Sequence, residues 1–138
     1  MAPDDIKIEF IGAPQQAEVA KLHHIHFATP DITAMQAWYA STLGAVPGMR
    51  GNFEAADLPG VNLTFSRSDL PLSATKRRSL DHIGFEVADL KRFCEELQAK
   101  GIVFDVPYRE IDGLGLAIAF FTDPFGTYIE LTEGLDQI

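Results

Sequence analysis

The feature that most constrains this chain is an internal repeat. His24-Ile25-His26-Phe27, followed by Asp31 seven residues after His24, is matched by His82-Ile83-Gly84-Phe85, with Asp89 seven residues after His82. Each aspartate stands directly before a segment of helical periodicity, where its side chain suits an N-cap. The first such segment, 32–43, carries Ile32, Met35, Trp38, Tyr39 and Leu43 and stops at Gly44. The second, 90–100, carries Leu90, Phe93, Cys94 and Leu97 and stops at Gly101. The ends of the two copies match as well. Gly60-Val61-Asn62-Leu63-Thr64 parallels Gly126 followed by Ile129-Glu130-Leu131-Thr132. Strand-like runs cover 22–28, a Gly- and Pro-punctuated stretch ending in 61–66, then 80–87, 102–106, 115–122 and 127–133. The chain is therefore an α+β protein of two βαβββ modules, since a repeat of this length settles the architecture before any single element does.

The expected organisation is an N-terminal extension over 1–20, a first module over 21–67, a linker over 68–79 and a second module over 80–138. Pro71, Ser73 and the basic run Lys76-Arg77-Arg78 mark the linker. The extension contains Ile6, Ile8 and Phe10 alternating with Lys7 and Glu9, as a half-buried strand requires. Moreover, 3–10 aligns without a gap on 124–131, which sets Glu9 on Glu130. An extra strand is expected there, added to a sheet edge in its own chain or across a dimer, with Glu9 as a candidate carboxylate beside the site described next.

Side chains alternate faces along a strand. His24, His26 and Ala28 share one face, His82, Gly84 and Glu86 a second, and Tyr128, Glu130 and Thr132 a third. The repeat sets His24 on His82 and Asn62 on Glu130. A lone strand histidine is usually packed or solvated, but two histidines and a glutamate at repeat-related positions make a 2-His-1-carboxylate set. Such ligands hold Fe, Mn, Ni, Co or Zn as a divalent ion. His24, His82 and Glu130 are the candidate ligands. His26, on the face of His24, is a cavity-lining residue or a candidate for orienting the ligands or carrying a proton; Asn62 is a candidate neutral ligand, water-binding or cavity-lining residue; and Tyr128, Tyr108 and Arg109 are candidate substrate contacts.

Composition narrows the partners. Eleven Lys and Arg against 20 Asp and Glu leave a net charge of −9, which repels phosphate backbones and anionic lipid. Neither nucleic acid nor membrane is expected, and a small-molecule substrate is. One cysteine, Cys94, forms no intrachain disulfide; it lies on the apolar stripe of its helix and reads as core. No signal peptide is visible in this chain, so a cytoplasmic location is expected. Neither a Gly-x-Ser-x-Gly elbow nor a Walker loop occurs.

Over 21–133 the pattern resembles the vicinal oxygen chelate (VOC) superfamily, which groups glyoxalases, bleomycin-resistance proteins and extradiol dioxygenases. The resemblance rests on His24 through Asp31 leading to Trp38-Tyr39 and Leu43-Gly44, on Asp81 through Asp89, and on Asp123-Pro124-Phe125-Gly126-Thr127-Tyr128-Ile129-Glu130-Leu131. It implies two βαβββ modules forming a cupped mixed sheet around a metal. The family's ligand positions fall on His24, His82 and Glu130, and its fourth on Asn62. The implied activity is that of a metal-dependent lyase, isomerase or dioxygenase-like oxygenase gripping a substrate through two adjacent oxygens. The alternative is a non-catalytic binding protein of the bleomycin-resistance type. The resemblance also leaves a homodimer open. Glyoxalase I itself has an acid where this chain has Asn62 and an arginine where it has Ala28, so turnover of the methylglyoxal–glutathione adduct is not expected. Extradiol dioxygenases carry a tyrosine where Phe120 stands and a histidine that has no counterpart after His82.

Overall fold

The computed structural model describes residues 6–12 and 14–138. Its contacts divide the chain into two units, Ile8–Leu72 and Ser73–Ile138, the latter with Ile6 and Lys7.

The first unit runs β1 (His24–Thr29), α1 (Ile32–Leu43), β2 (Val46–Arg50), β3 (Phe53–Leu58) and β4 (Val61–Arg67). Helix α1 begins where Asp31 accepts the Ala34 N–H at 2.9 Å and ends at Gly44, whose φ of 74° is the left-handed turn glycine adopts freely. The sheet order is β1-β4-β3-β2, with β1 parallel to β4 and the remaining pairs antiparallel. One face of this sheet carries Phe27, Leu63 and Phe65, all buried, and packs with Met35 and Tyr39 of α1. The Phe27 and Tyr39 rings lie 5.3 Å apart, and Gln36 ties the helix to β3 by donating to the Ala55 carbonyl at 2.7 Å. Since β1 and β4 are paired in register, the opposite face carries His24, His26 and Ala28 beside Asn62, Thr64 and Ser66.

The second unit repeats this plan with β5 (Ile83–Glu86), α2 (Leu90–Ala99), β6 (Phe104–Ile111), β7 (Leu116–Thr122) and β8 (Tyr128–Glu133), followed by a 3-10 turn at Leu135–Gln137. Its order, β5-β8-β7-β6, matches the first sheet strand for strand. Helix α2 buries Leu90, Cys94 and Leu97, the stripe expected from its spacing. Two carboxylates hold its start, Asp89 accepting from the Arg92 N–H and Glu133 of β8 from the Leu90 N–H at 2.8 Å, where the positive end of the helix dipole favours them. Both sheets have proline in an outer strand, Pro47 in β2 and Pro107 in β6, where a missing N–H costs no ladder bond. In β6 the register shifts between Phe104 and Val106 and again across that proline, between Val106 and Arg109. The strand reaches Ile111, beyond the 102–106 expected, because an edge strand accommodates the irregularity.

Residues 68–80 contain neither helix nor strand, and part of this segment braces β8. Thr75 donates its N–H to the Gly126 carbonyl at 3.0 Å, and its hydroxyl accepts the Tyr128 N–H at 2.8 Å.

The extra N-terminal strand is not formed over its described part. Residues 6–12 pair with no strand, and Ile8 and Phe10 are 60% and 91% exposed. The alternation is present in sequence, but without a ladder partner it does not fix a strand. Pro3, Asp4 and Asp5, which began the expected strand, lie outside the described residues.

Candidate functional site

In the second module, His82 stands just before β5 and Glu130 lies in β8. The His82 Nε2 and Glu130 Oε2 atoms are 3.1 Å apart, with the two side chains 38% and 20% exposed. The other ring nitrogen, Nδ1, lies 2.9 Å from the Asp81 carboxylate. With Nδ1 donating to Asp81, Nε2 is the nitrogen available to a metal beside Glu130. Hydrogen bonds from His82 and from the Arg77 N–H hold the Asp81 carboxyl below its ordinary range, so it stays an acceptor. Gly84 is the register partner of Glu130, and a Cβ there would sit 3.6 Å from Glu130 Oε2. The ring of Phe120 packs edge-on to His82 at 5.7 Å, and the buried Tyr128 does so at 6.3 Å. Lys76 lies over the Tyr128 ring at 4.2 Å and pairs with Asp105 at 3.2 Å.

The donors fit a divalent ion. Two adjacent ligand atoms held about 2.1 Å from one ion sit about 3 Å apart, close to the His82–Glu130 separation.

In the first module, His24 and His26 project from one face of β1 with ring centroids 5.7 Å apart. Glu9 approaches them from the segment before β1. Its Oε2 is 3.6 Å from His24 Nε2, and Glu9, His24 and His26 each have a ligand atom within 4.8 Å of the others'. Among the described residues this is the group of three such side chains close enough to hold one ion. Behind His24 runs a chain of contacts. Arg50 Nη1 donates to His23 Nε2 at 2.8 Å, and His23 Nδ1 lies 2.9 Å from His24 Nδ1. Since His23 accepts at Nε2, its proton sits on Nδ1 and is donated to His24, which turns the His24 Nε2–H toward Glu9. Burial and the neighbouring Arg50 cation lower the His23 pKa, which keeps that ring neutral.

A cleft of about 490 Å3 opens beside this chain, lined by Lys21, His23, Arg50, Asp57 and Asn62 among others. Asn62 is 6% exposed; its amide nitrogen donates to Asp57 at 2.7 Å and its oxygen accepts from Thr64 at 2.8 Å.

The remaining candidates separate. Tyr108 and Arg109 lie on the edge strand β6, two strands from Glu130. Arg109 pairs with Ile118, which pairs with Thr132, so it shares the face of Glu130; Tyr108 donates its hydroxyl to Glu110 at 3.0 Å. Cys94 is buried, and burial raises its thiol pKa, as a core cysteine requires.

Two features of the site carry little sequence signal. For Asp81 the signal is its adjacency to His82. The second is a register offset. His24 pairs with Asn62 in the first sheet, whereas Glu130 pairs with Gly84 in the second. Gly84 is the repeat counterpart of His26, whose partner is Thr64. Thr64, rather than Asn62, therefore occupies the position of Glu130. An offset of two residues preserves the face, so it leaves no trace in an alternation pattern.

Comparison with known proteins bears on the same conclusion. Residues 21–131 match the family model of the glyoxalase/bleomycin resistance protein/dioxygenase superfamily. No curated protein sequence matches closely. Among solved structures, a glyoxalase family protein of Enterococcus faecalis superposes with a TM-score of 0.65 at 24% identity, covering 83% of this chain and 98% of its own. A virulence protein of Salmonella typhimurium gives 0.67 at 16% identity over 84% and 98%. The oxidase ChaP-H2 gives 0.66 at 22% identity over 84% and 94%. These likenesses show the fold, two βαβββ modules. With the family model matching most of its length, the chain belongs to the glyoxalase/bleomycin resistance protein/dioxygenase (VOC) superfamily.

Proposed function

We propose that this protein is a metal-dependent VOC enzyme acting on a small molecule that presents two adjacent oxygens, with His24, His82 and Glu130 as the ligands of a divalent ion. The observation that carries the reading is the His82–Glu130 pair, 3.1 Å apart, with Asp81 on the far nitrogen of the histidine. When bound, the metal supplies Lewis acidity to the substrate's oxygens. The protein's side chains do the rest. Asp81 holds the His82 tautomer, and Phe120 and Tyr128 shield its ring from solvent. Lys21 and Arg50, in a cleft of about 490 Å3, suit a substrate carrying a carboxylate or another anionic group. His26 is the residue assigned to proton transfer, being exposed on the face it shares with His24. Asn62 orders the cleft wall through Asp57 and Thr64 and takes no proton itself.

The reaction class within the family stays a choice between lyase or isomerase and oxygenase chemistry; one structural neighbour is an oxidase. The experiment is elemental analysis of the wild type and of His82→Ala after expression with Fe, Mn, Ni, Co or Zn. Close to one ion per wild-type chain, lost in His82→Ala, is expected. A metal-free wild type refutes the reading in favour of a sequestering protein of the bleomycin-resistance type.

A further inference from the structure

The two modules differ in where a carboxylate meets the histidine. In the second, Glu130 comes from the last strand of the sheet. In the first, the register-equivalent residue of β4 is Thr64, whose hydroxyl donates to Asn62. Asn62 in turn is bound to Asp57. The last strand of the first module thus presents no carboxylate to His24. Glu9 does so instead, from outside the βαβββ unit, with its Oε2 3.6 Å from His24 Nε2. The sequence independently sets Glu9 on Glu130 in the ungapped match of 3–10 with 124–131. Spatial proximity and repeat alignment therefore select the same residue, although the segment around it is not a strand.

We propose that Glu9, His24 and His26 form a divalent-metal site of the first module, in which Glu9 gives His24 the carboxylate that Glu130 gives His82. The set is a carboxylate and two imidazoles, chemistry that takes Zn, Co, Ni, Mn or Fe in preference to Mg or Ca. A separation of 3.6 Å is that of two donors at about 2.1 Å from a common ion, spread by about 120°. His26 completes the group with its ligand atom within 4.8 Å of those of Glu9 and His24. Its ring rests edge-on against Phe53 at 5.3 Å, which restricts the orientations it samples. Glu9 is 49% exposed, so an ion has a path to the cluster from solvent. The segment around Glu9 then acts as a strap, fixed to β1 when the ion binds. The site shares His24 with the preceding ligand set and therefore competes with it: Glu9 and His26 stand in place of Glu130 and His82, and His26 ligates the ion instead of moving a proton.

The test is titration of the full chain with Co(II), read by its visible d–d bands, for the wild type and for Glu9→Gln, His26→Asn, His82→Ala and Glu130→Gln. Glu9 and His26 are exposed, so their variants are expected to melt with the wild type. Glu9→Gln and His26→Asn are each expected to weaken Co(II) binding at least about tenfold, since even a residue behind a ligand costs that much. Wild-type affinity in both overturns the proposal; loss in Glu130→Gln alone would then leave the preceding reading standing. Loss in Glu9→Gln with none in His82→Ala supports the proposal and refutes the other ligand set. A wild type with no bands refutes both.

Discussion

Replacing Asp123 with alanine tests how the turn before β8 positions Glu130. Asp123 is 4% exposed, and its Oδ1 accepts from the Phe125 N–H at 2.8 Å and the Thr127 N–H at 2.7 Å. The backbone closes the same turn, with the Asp123 N–H donating to the Thr127 carbonyl at 2.9 Å and the Gly126 N–H to the Asp123 carbonyl at 3.1 Å. Hydrogen bonds to a charged acceptor are worth about 1.5–3 kcal/mol each, and alanine removes both. The Phe125 amide is half-buried and can recover water, whereas Thr127 is 4% exposed and its N–H is left without an acceptor. The expected loss is about 2–4 kcal/mol, most of it from the Thr127 amide. For a chain of this size that lowers Tm by about 6–12 °C. Asp123→Asn keeps a carbonyl oxygen in place and should lose about 1 kcal/mol. Urea denaturation is the assay, with a fall in the midpoint at unchanged slope as the signature of a stability change. An Asp123→Ala protein within about 0.5 kcal/mol of the wild type, the scatter of ordinary surface substitutions, would refute the reasoning.

Four further outcomes follow from the same geometry. Gly134→Ala should be severely destabilised, because the left-handed φ of 93° disfavours a side chain and the new Cβ would meet the Gly115 carbonyl oxygen; wild-type melting would show that the turn moves aside freely. Asp105 has its carboxyl lowered, first by the Thr122 hydroxyl and then by Lys76, so its contribution is present above about pH 4 and is lost as the pH falls through the lowered value. The stability gap between wild type and Asp105→Asn should therefore be constant near neutrality and close in acid; a gap that widens in acid contradicts the assignment. Cys94 should react with a thiol reagent only on unfolding, which labelling with and without denaturant checks; rapid native labelling would place the thiol outside the core. Arg50→Met should tighten Co(II) binding a few-fold, since the Arg50 donor holds His23 and His24 in the tautomers that leave a proton on His24 Nε2; weaker binding would mean that Arg50 supports the site.

The fold was legible because its signals are local and occur twice. Asp31 and Gly44 bracket α1 at the residues where capping chemistry sets the ends, and Leu90, Cys94 and Leu97 mark the face α2 buries. The length of β6 was not legible, since Pro107 argues for a stop and only its edge position permits continuation. Residues 6–12 form no strand within the single chain for a different reason. Alternation states what a strand would bury but supplies no partner. Within the candidate site, the repeat selects His82 and Glu130, and the second module brings these two together. The contact between Arg50 and His23 spans 27 residues and depends on β2 lying two strands from β4, which no spacing rule encodes. Alternation could not show the two-residue register offset, because it preserves the face; the spacing could, since Thr64 and Glu130 each stand four residues after Gly60 and Gly126.

The most direct measurement is X-ray absorption at the K edge of the metal in the reconstituted, full-length protein. The account predicts a shell of nitrogen and oxygen donors at about 2.0–2.2 Å with the outer scattering of two imidazoles, diminished in His24→Ala. A shell of oxygen donors without imidazole scattering, unchanged in His24→Ala, would contradict it.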